Sequence, residues 1–238
     1  MVKAAAVVPA AGTGSRMGAQ VPKQYLLLAG IPLLGHALKV LDTSPVIQSI
    51  VLVAAAGEEE FCRKNVVEEL GIRKIKAIVT GGRERQDSVY SGILALSPET
   101  DLVVIHDGAR PLLSPAELLA VVEAAARHGA ATLAAPVKDT VKMAGRDGLV
   151  AQTLPRERLW LTQTPQAFQR SLILRAHLAA REANHLGTDD AGLVERLGHP
   201  VKIVPGSYRN IKVTTPEDLI IASALLASPL PNDKKNDK

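Results

Sequence analysis

The amino-acid sequence predicts an α/β fold: a mostly parallel sheet with helices on both faces and one projecting β-hairpin arm. Three observations lead there. Short apolar runs alternate along the chain with segments of helical periodicity, the pattern of repeated β-α-β units. The runs are apolar from end to end, as in Ala4-Ala-Ala-Val-Val8, which suits a strand covered on both faces. Hydrophobic residues make up 47% of the chain but aromatic ones only 3%, so Ala, Val and Leu must build a core of small side chains. A chain of 238 residues can bury that core in one unit. We expect a single domain over 1–228, with 137–160 as the arm and 229–238 as a disordered tail.

Taken in order, Ala4 to Val8 reads as the first strand and Pro32 as the opening residue of a helix reaching Asp42. Ile47 to Val53 is a second buried strand, Glu58 to Leu70 a helix stopped by Gly71, and Ile75 to Thr80 a third strand. After Gly81-Gly82 a helix begins, with Asp87 or Ser88 available to cap it. Leu102 to His106 is the fourth strand; His106 is expected to be a satisfied, partly buried histidine. Ser114-Pro-Ala-Glu117 is a capping box that starts a helix ending at His128 and Gly129, and Leu133 to Pro136 is the fifth strand.

The pattern then changes. Val137, Val141 and Met143 alternate with Lys138, Thr140 and Lys142; Gly145-Arg-Asp-Gly148 makes a turn, and Leu149 to Leu154 returns. Such a hairpin, inserted in a parallel scaffold, projects and needs a partner for its apolar face, which a symmetric dimer with embracing arms supplies. Trp160 to Gln163 leads back to the body, and a helix covers Ser171 to Asn184. Thr188 stands where a cap for the next helical segment falls, Val201–Val204 and Ile211–Val213 read as short strands, and Thr214-Thr-Pro-Glu-Asp218 opens a last helix to Ala227. Lys212, between Ile211 and Val213, faces away from them.

The richest chemical signal follows the first strand. Gly12, Gly14 and Gly18 let backbone amides approach an anion, and Arg16 and Lys23 add fixed positive charge, a combination suited to a nucleoside triphosphate. Two familiar phosphate loops are excluded. Met17 occupies the position where a dinucleotide fingerprint needs Gly or Ala, and no Gly-Lys-Ser/Thr triplet exists for a Walker loop. In a parallel sheet, the other loops at the carboxyl edge would meet the same ligand: Gly82 and Ser88 beside the base, and Asp107, after the fourth strand, against a metal or a substrate hydroxyl.

Composition narrows the remaining classes. The net charge of +4 and pI of about 9.2 are modest, and there is no basic stripe interleaved with aromatics, so a nucleic-acid partner is not expected. Cys62 is the sole cysteine, so neither a disulfide nor a cysteine-based zinc site is available, in keeping with a reducing, cytoplasmic setting. No apolar run approaches 18 residues and no signal-peptide pattern is present, so membrane spanning and secretion are not expected.

The ordered set Pro9-Ala-Ala-Gly-Thr-Gly-Ser-Arg-Met-Gly18, Pro22-Lys-Gln24, Gly81-Gly-x-x-Arg85, Ser88-Val89, His106-Asp-Gly-Ala-Arg-Pro111, Asp139-Thr140, Thr164-Pro-Gln166 and Asn210-Ile-Lys-Val-Thr214 resembles the 2-C-methyl-D-erythritol 4-phosphate cytidylyltransferase family over nearly the whole chain. That resemblance implies a Rossmann-like fold of the nucleotide-diphospho-sugar transferase type and a magnesium-dependent homodimer. It implies CMP transfer from CTP to methylerythritol phosphate, with release of pyrophosphate, in the non-mevalonate route to isoprenoids. Ala10, Ala11, Gly12, Gly14, Gly82 and Ser88 would form the nucleotide site. Arg16 and Lys23 would stabilise the transition state, and Arg156 and Lys212 would steer the acceptor. Asp107, Arg110, Thr140 and Thr188 would bind the acceptor, with Thr140 and Arg156 reaching in from the partner's arm. Magnesium would be held mainly through the CTP phosphates, with Asp107 a further ligand. Arg158 lies two residues from Arg156 and is the other arginine available for the arm role, and Arg83 stands where relatives often carry an acidic or small residue. The sister activity on ribitol 5-phosphate is the alternative within the same fold.

Overall fold

The computed structural model describes residues 2–12 and 22–228. Gly14, Arg16 and the 229–238 tail therefore lie outside the described residues. Strand β1 (Ala4–Pro9) leads, by way of the short strands β2 (Leu27–Leu28) and β3 (Ile31–Pro32), to α1 (Leu33–Thr43) and then β4 (Ile47–Ala54). Next come α2 (Glu59–Cys62), continued by a π-helical turn over Arg63–Glu68, then β5 (Ile75–Thr80), α3 (Arg85–Leu94), β6 (Leu102–Ile105) and α4 (Pro115–His128). The chain goes on through β7 (Ala130–Pro136), the hairpin β8 (Val141–Ala144) and β9 (Val150–Leu154), then β10 (Trp160–Gln169), α5 (Arg170–Glu182), α6 (Asp190–Arg196), β11 (Lys202–Pro205) and α7 (Pro216–Ala227).

Among the described residues the main sheet runs β11-β7-β10-β6-β1-β4-β5. β1 pairs in parallel with both β4 and β6, β4 with β5, and β11 with β7. The end-to-end apolar character of the strands has a direct cause. Ala4, Ala6 and Val8 point into one core with Leu34 and Leu38 of α1 and Leu118 and Val121 of α4. Ala5 and Val7 point into another with Val89 and Ile93 of α3, Ile173 of α5 and Val194 of α6. A period of two thus feeds two helical layers, and each buried Val, Ile or Leu contributes about 2 kcal/mol. The helices can sit close because small residues face the sheet: a Cβ on Gly92 of α3 would overlap the Val7 side chain.

Several expectations are corrected. β10 is a ten-residue strand, not the short return at Trp160–Gln163, and it runs antiparallel between β6 and β7 in the middle of the sheet. Its ladder is interrupted between Thr162 and Gln166, around Pro165, which has no N–H to donate; that proline and its polar neighbours hid the strand. The arm strand begins at Val141 rather than Val137, and it pairs antiparallel with β9. Ile211–Val213 forms no ladder; it is extended chain held by Val213 N–H to the Ala109 carbonyl at 2.8 Å. The cap of α3 is Glu84, with Asp87 completing a capping box, so neither Asp87 nor Ser88 is the cap. The cap of α6 is Asp189, not Thr188. Pro32 lies just before α1, and His106 is fully buried. Ser114 and Glu117 form the expected capping box, and Gly129 ends α4 at φ +81°.

Candidate functional site

The carboxyl edges of β1, β5 and β6 open onto one cleft. Ala10, Ala11 and Gly12 follow β1, Gly82 and Ser88 follow β5, Asp107 follows β6, and Lys23 and Lys212 arrive from elsewhere in the chain to complete the lining. Eight of the sequence-predicted residues thus meet. The turn after β5 is packed tightly against the first loop: a Cβ on Gly81 would overlap both the Ala11 Cβ and the Ser88 Oγ. Ser88 Oγ accepts from Gly82 N–H at 3.2 Å and donates to the Glu84 carbonyl at 3.2 Å, so these groups are held in place by one another.

Asp107 is the electrostatic centre. Its Oδ1 accepts from Arg85, with Nε at 3.1 Å and Nη2 at 3.0 Å, while its Oδ2 meets Lys212 Nζ at 2.7 Å. Burial alone would raise the Asp107 pKa, but Arg85 and Lys212 outweigh it and hold the carboxyl well below the usual carboxylate range. Arg85 continues the network: its Nη1 donates to Asp190 Oδ2 at 2.7 Å, and Asp190 Oδ1 lies 3.2 Å from His177 Nε2. Burial works against the Arg85 charge, yet Asp107 and Asp190 together raise its pKa. Asp190 is likewise held ionised despite burial, chiefly by Arg85.

A second, neutral network places Asp107 itself. Its backbone N–H donates to Thr164 Oγ1 at 3.0 Å; the Thr164 hydroxyl donates to His106 Nδ1 at 3.1 Å, and His106 Nε2–H donates to the Arg110 carbonyl at 3.1 Å. That assignment requires a neutral imidazole, and burial does push the His106 pKa down to about 4. Lys212 is placed by its neighbours. Val213 is fully buried with Leu28, Leu33 and Ala222 of α7, and Asn210 Nδ2 donates to the Thr164 carbonyl at 2.8 Å. Lys212 consequently turns toward Asp107, on the side opposite Val213, as the alternation implies.

Of the other predicted residues that are described, Arg110, Thr188, Thr140, Arg156 and Arg158 do not line this cleft, whereas Arg83 stands at its edge. Arg110 is half-buried and spends Nη1 on the Asn210 carbonyl at 2.6 Å, tying the two loops together from behind. Thr188 is exposed before α6. Thr140 and Arg156 are exposed at the root of the arm, where Arg156 Nη1 donates to the Lys138 carbonyl at 2.8 Å; Arg158 is exposed as well. The Arg83 side chain is 93% exposed with Glu84 at 3.9 Å. Arg85, Asp190, His177 and Thr164 were missed as site residues. Arg85 was visible within the Gly-Gly-x-x-Arg spacing, but its partner Asp190 lies 105 residues away, beyond any local pattern.

The described side chains do not fit a resident metal centre. Among them no group of three or more His, Cys, Asp or Glu is placed to hold a cation, and both Asp107 oxygens are already engaged by Arg85 and Lys212. No helix among the described residues is long and apolar enough to cross a membrane.

Comparison with known proteins places this geometry. A protein from Pelotomaculum thermopropionicum named 2-C-methyl-D-erythritol 4-phosphate cytidylyltransferase is 64% identical over 226 residues, 95% of each chain. A bifunctional IspD/IspF enzyme of Desulforudis audaxviator is 51% identical over 226 residues, which is 95% of this chain and 57% of that one. The crystal structure of 4-diphosphocytidyl-2C-methyl-D-erythritol synthase from Anaerococcus prevotii superposes with a TM-score of 0.86 at 33% identity, covering 95% of this chain and 97% of that one. The structure of the corresponding cytidylyltransferase from Thermus thermophilus superposes with a TM-score of 0.78 at 34% identity, covering 94% and 98%. A sequence model of the same family matches residues 4–228, and with a cleft that joins the glycine loop to the Asp107–Lys212 pair, the chain belongs to the 2-C-methyl-D-erythritol 4-phosphate cytidylyltransferase (IspD) family.

Proposed function

We propose that the cleft binds CTP along Ala10, Ala11, Gly12, Gly14, Gly82 and Ser88 and presents its α-phosphorus to methylerythritol phosphate held at Asp107 and Lys212, with Arg110 and Thr188 assigned to the acceptor from outside the lining of the cleft. The enzyme is a CTP-dependent cytidylyltransferase of the non-mevalonate pathway that makes 4-diphosphocytidyl-2-C-methyl-D-erythritol and pyrophosphate. One observation carries the assignment of roles: amides suited to a triphosphate and the cation Lys212 line the same cleft.

A phosphate monoester has its second pKa near about 6, so the acceptor is mostly a dianion at neutral pH and needs no general base. One of its oxygens forms a bond to the α-phosphorus of CTP as the bond from that phosphorus to the β-bridging oxygen breaks, and pyrophosphate leaves with the electron pair. Two anions must be aligned for this, and charge on the non-bridging oxygens must be matched. Lys23 lines the cleft beside the glycine loop. Arg16, outside the described residues, is assigned the same task from its place in that loop. Lys212 holds the acceptor phosphate, exchanging part of its contact with Asp107 for it.

Magnesium is assigned to the triphosphate rather than to side chains of this protein, where it screens the phosphate charges when bound. A homodimer completes the reading. Thr140 and Arg156 stand on an arm away from their own cleft, and the arm exposes Met143, Leu149 and Val150, an apolar surface that a second arm would cover. The protein is taken to work in the cytoplasm. The decisive experiment is pyrophosphate release with CTP, UTP and ATP crossed against methylerythritol phosphate and ribitol 5-phosphate. Turnover is expected with CTP and methylerythritol phosphate; a clear preference for ribitol 5-phosphate would overturn the acceptor.

A further inference from the structure

Behind the cleft, three helices of the same sheet face converge on a buried carboxylate. Asp190, the first residue of α6, is 1% exposed at its side chain; His177 of α5 is fully buried beside it, and Arg85, the first residue of α3, joins the pair to Asp107. The ring of His177 is stacked against Tyr90 of α3 at 6.0 Å. The order is therefore His177, Asp190, Arg85, Asp107, Lys212, with every neighbouring pair of charged or polar groups within 3.2 Å.

The fork of Arg85 is shared between two carboxylates. Nη1 is committed to Asp190 while Nε and Nη2 share Asp107 Oδ1, so the guanidinium cannot turn without giving up one partner. Asp107, in turn, is shared between Arg85 and Lys212. When an incoming phosphate draws Lys212 away from Asp107, Arg85 is the cation that keeps that buried carboxylate compensated, and it can do so only while Asp190 holds its other end. His177 closes the series: with Nε2–H donated to Asp190, its Nδ1 has no protein partner, so the imidazole serves Asp190 alone.

We propose that Asp190, oriented by His177, is a positioning residue that acts through Arg85 to set the geometry of Asp107 and Lys212 for the acceptor. This rests on the reading of Asp107 and Lys212 as the acceptor half of the site. Asp190 does not line the cleft, so its influence is indirect, and it should fall on the acceptor half, to which Arg85 ties it through Asp107.

The test is steady-state pyrophosphate release by Asp190→Asn, Asp190→Glu, Arg85→Lys and His177→Gln, with Asp107→Asn as the reference. KM is determined separately for CTP and for the acceptor, and thermal midpoints are measured in parallel. Asp190→Asn keeps the shape but loses the charge, and an amide N–H facing His177 forces the imidazole proton onto Nδ1, where it has no partner. The expected result is an acceptor KM raised about tenfold with the CTP KM within twofold. Arg85→Lys, which cannot span two carboxylates, should behave in the same way; His177→Gln should move in that direction by less, and Asp190→Glu should restore most of the loss. An acceptor KM within twofold of wild type in Asp190→Asn, while Asp107→Asn raises it, overturns the relay and leaves the assignment of Asp107 standing. Equal increases in both KM values overturn it as well, because a merely structural tie predicts that pattern. If Asp107→Asn itself leaves the acceptor KM unchanged, the underlying reading fails and takes the relay with it. Should Asp190→Asn not fold, Arg85→Lys and His177→Gln are judged by the same criterion.

Discussion

The floor of the cleft and the β8–β9 arm lie in one chain but are stabilised in opposite ways. On the floor, residues from four separate stretches converge: Asp107 meets Arg85 and Lys212, its backbone is held by Thr164 and His106, and Asn210 ties the Lys212 loop to β10. Asp107, His106 and Thr164 are buried there, and Arg85 and Lys212 are held against Asp107, so the geometry is set before substrate arrives. The arm is the reverse. Its strands pair with each other, yet nearly all their side chains are exposed, including Met143, Leu149 and Val150. A preorganised floor can fix charge by itself; an arm of this kind acquires a defined position only against a second surface.

The largest expected effect comes from removing the cations assigned to the triphosphate. Lys23→Ala and Arg16→Ala should each lower kcat by roughly 10²-fold or more, the typical cost of losing a preorganised charge-stabilising donor. Far-UV circular dichroism should be unchanged, and a near-normal kcat at saturating CTP in either variant would remove that residue from the transition-state assignment.

The arm calls for an experiment with two chains. On the proposed dimer, Lys212→Ala would disable the floor of its own cleft and Arg156→Ala the arm assigned to a neighbour's cleft, so both variants should be poorly active alone. After random mixing about half of the dimers are mixed, and one of the two clefts in each combines an intact floor with an intact arm. Activity should therefore recover to about a quarter of wild type. No recovery on mixing, with subunit exchange verified by a tag, would place Arg156 outside the neighbour's site, and the same experiment on Arg158→Ala distinguishes the two arginines.

The two regions also differed in how far the sequence disclosed them. Both cores followed from apolar runs and helical periodicity, and the capping box at Ser114 and the arm hairpin were legible because each is a local pattern. β10 was not, since Pro165 and the polar Gln163, Thr164 and Gln166 interrupt its apolar run, although every one of those polar side chains is buried against a partner. In the site, Asp107 stood out as a carboxylate at the end of an apolar strand and Lys212 as a charge between Ile211 and Val213, but their mutual contact joins segments far apart in sequence. Arg85 and Asp190 were lost for the same reason: an ion pair formed by the meeting of two helix N-termini leaves no periodic trace in either segment.

The last and smallest expected effect concerns the floor and appears as pH falls. His106 sits on the floor, fully buried, and its pKa is pushed down to about 4 from an ordinary value near 6.5, mainly by burial. A depressed histidine pKa means that the unfolded chain binds a proton that the folded chain does not, so the stabilisation from the neutral imidazole is present above about pH 6.5 and drains away as pH falls to about 4. Asp107 and Asp190, whose pKa values are also lowered, lose their share only below the ordinary carboxylate range, so the two windows do not overlap. Urea unfolding of wild type and His106→Gln between pH 4 and 7 should show the wild type losing up to about 1.4 kcal/mol per pH unit more than the variant, or of order 3 kcal/mol in all. Parallel stability curves for the two proteins would mean that the His106–Thr164 link does not depend on a neutral ring, and the proton assignment that positions Asp107 would have to be reversed.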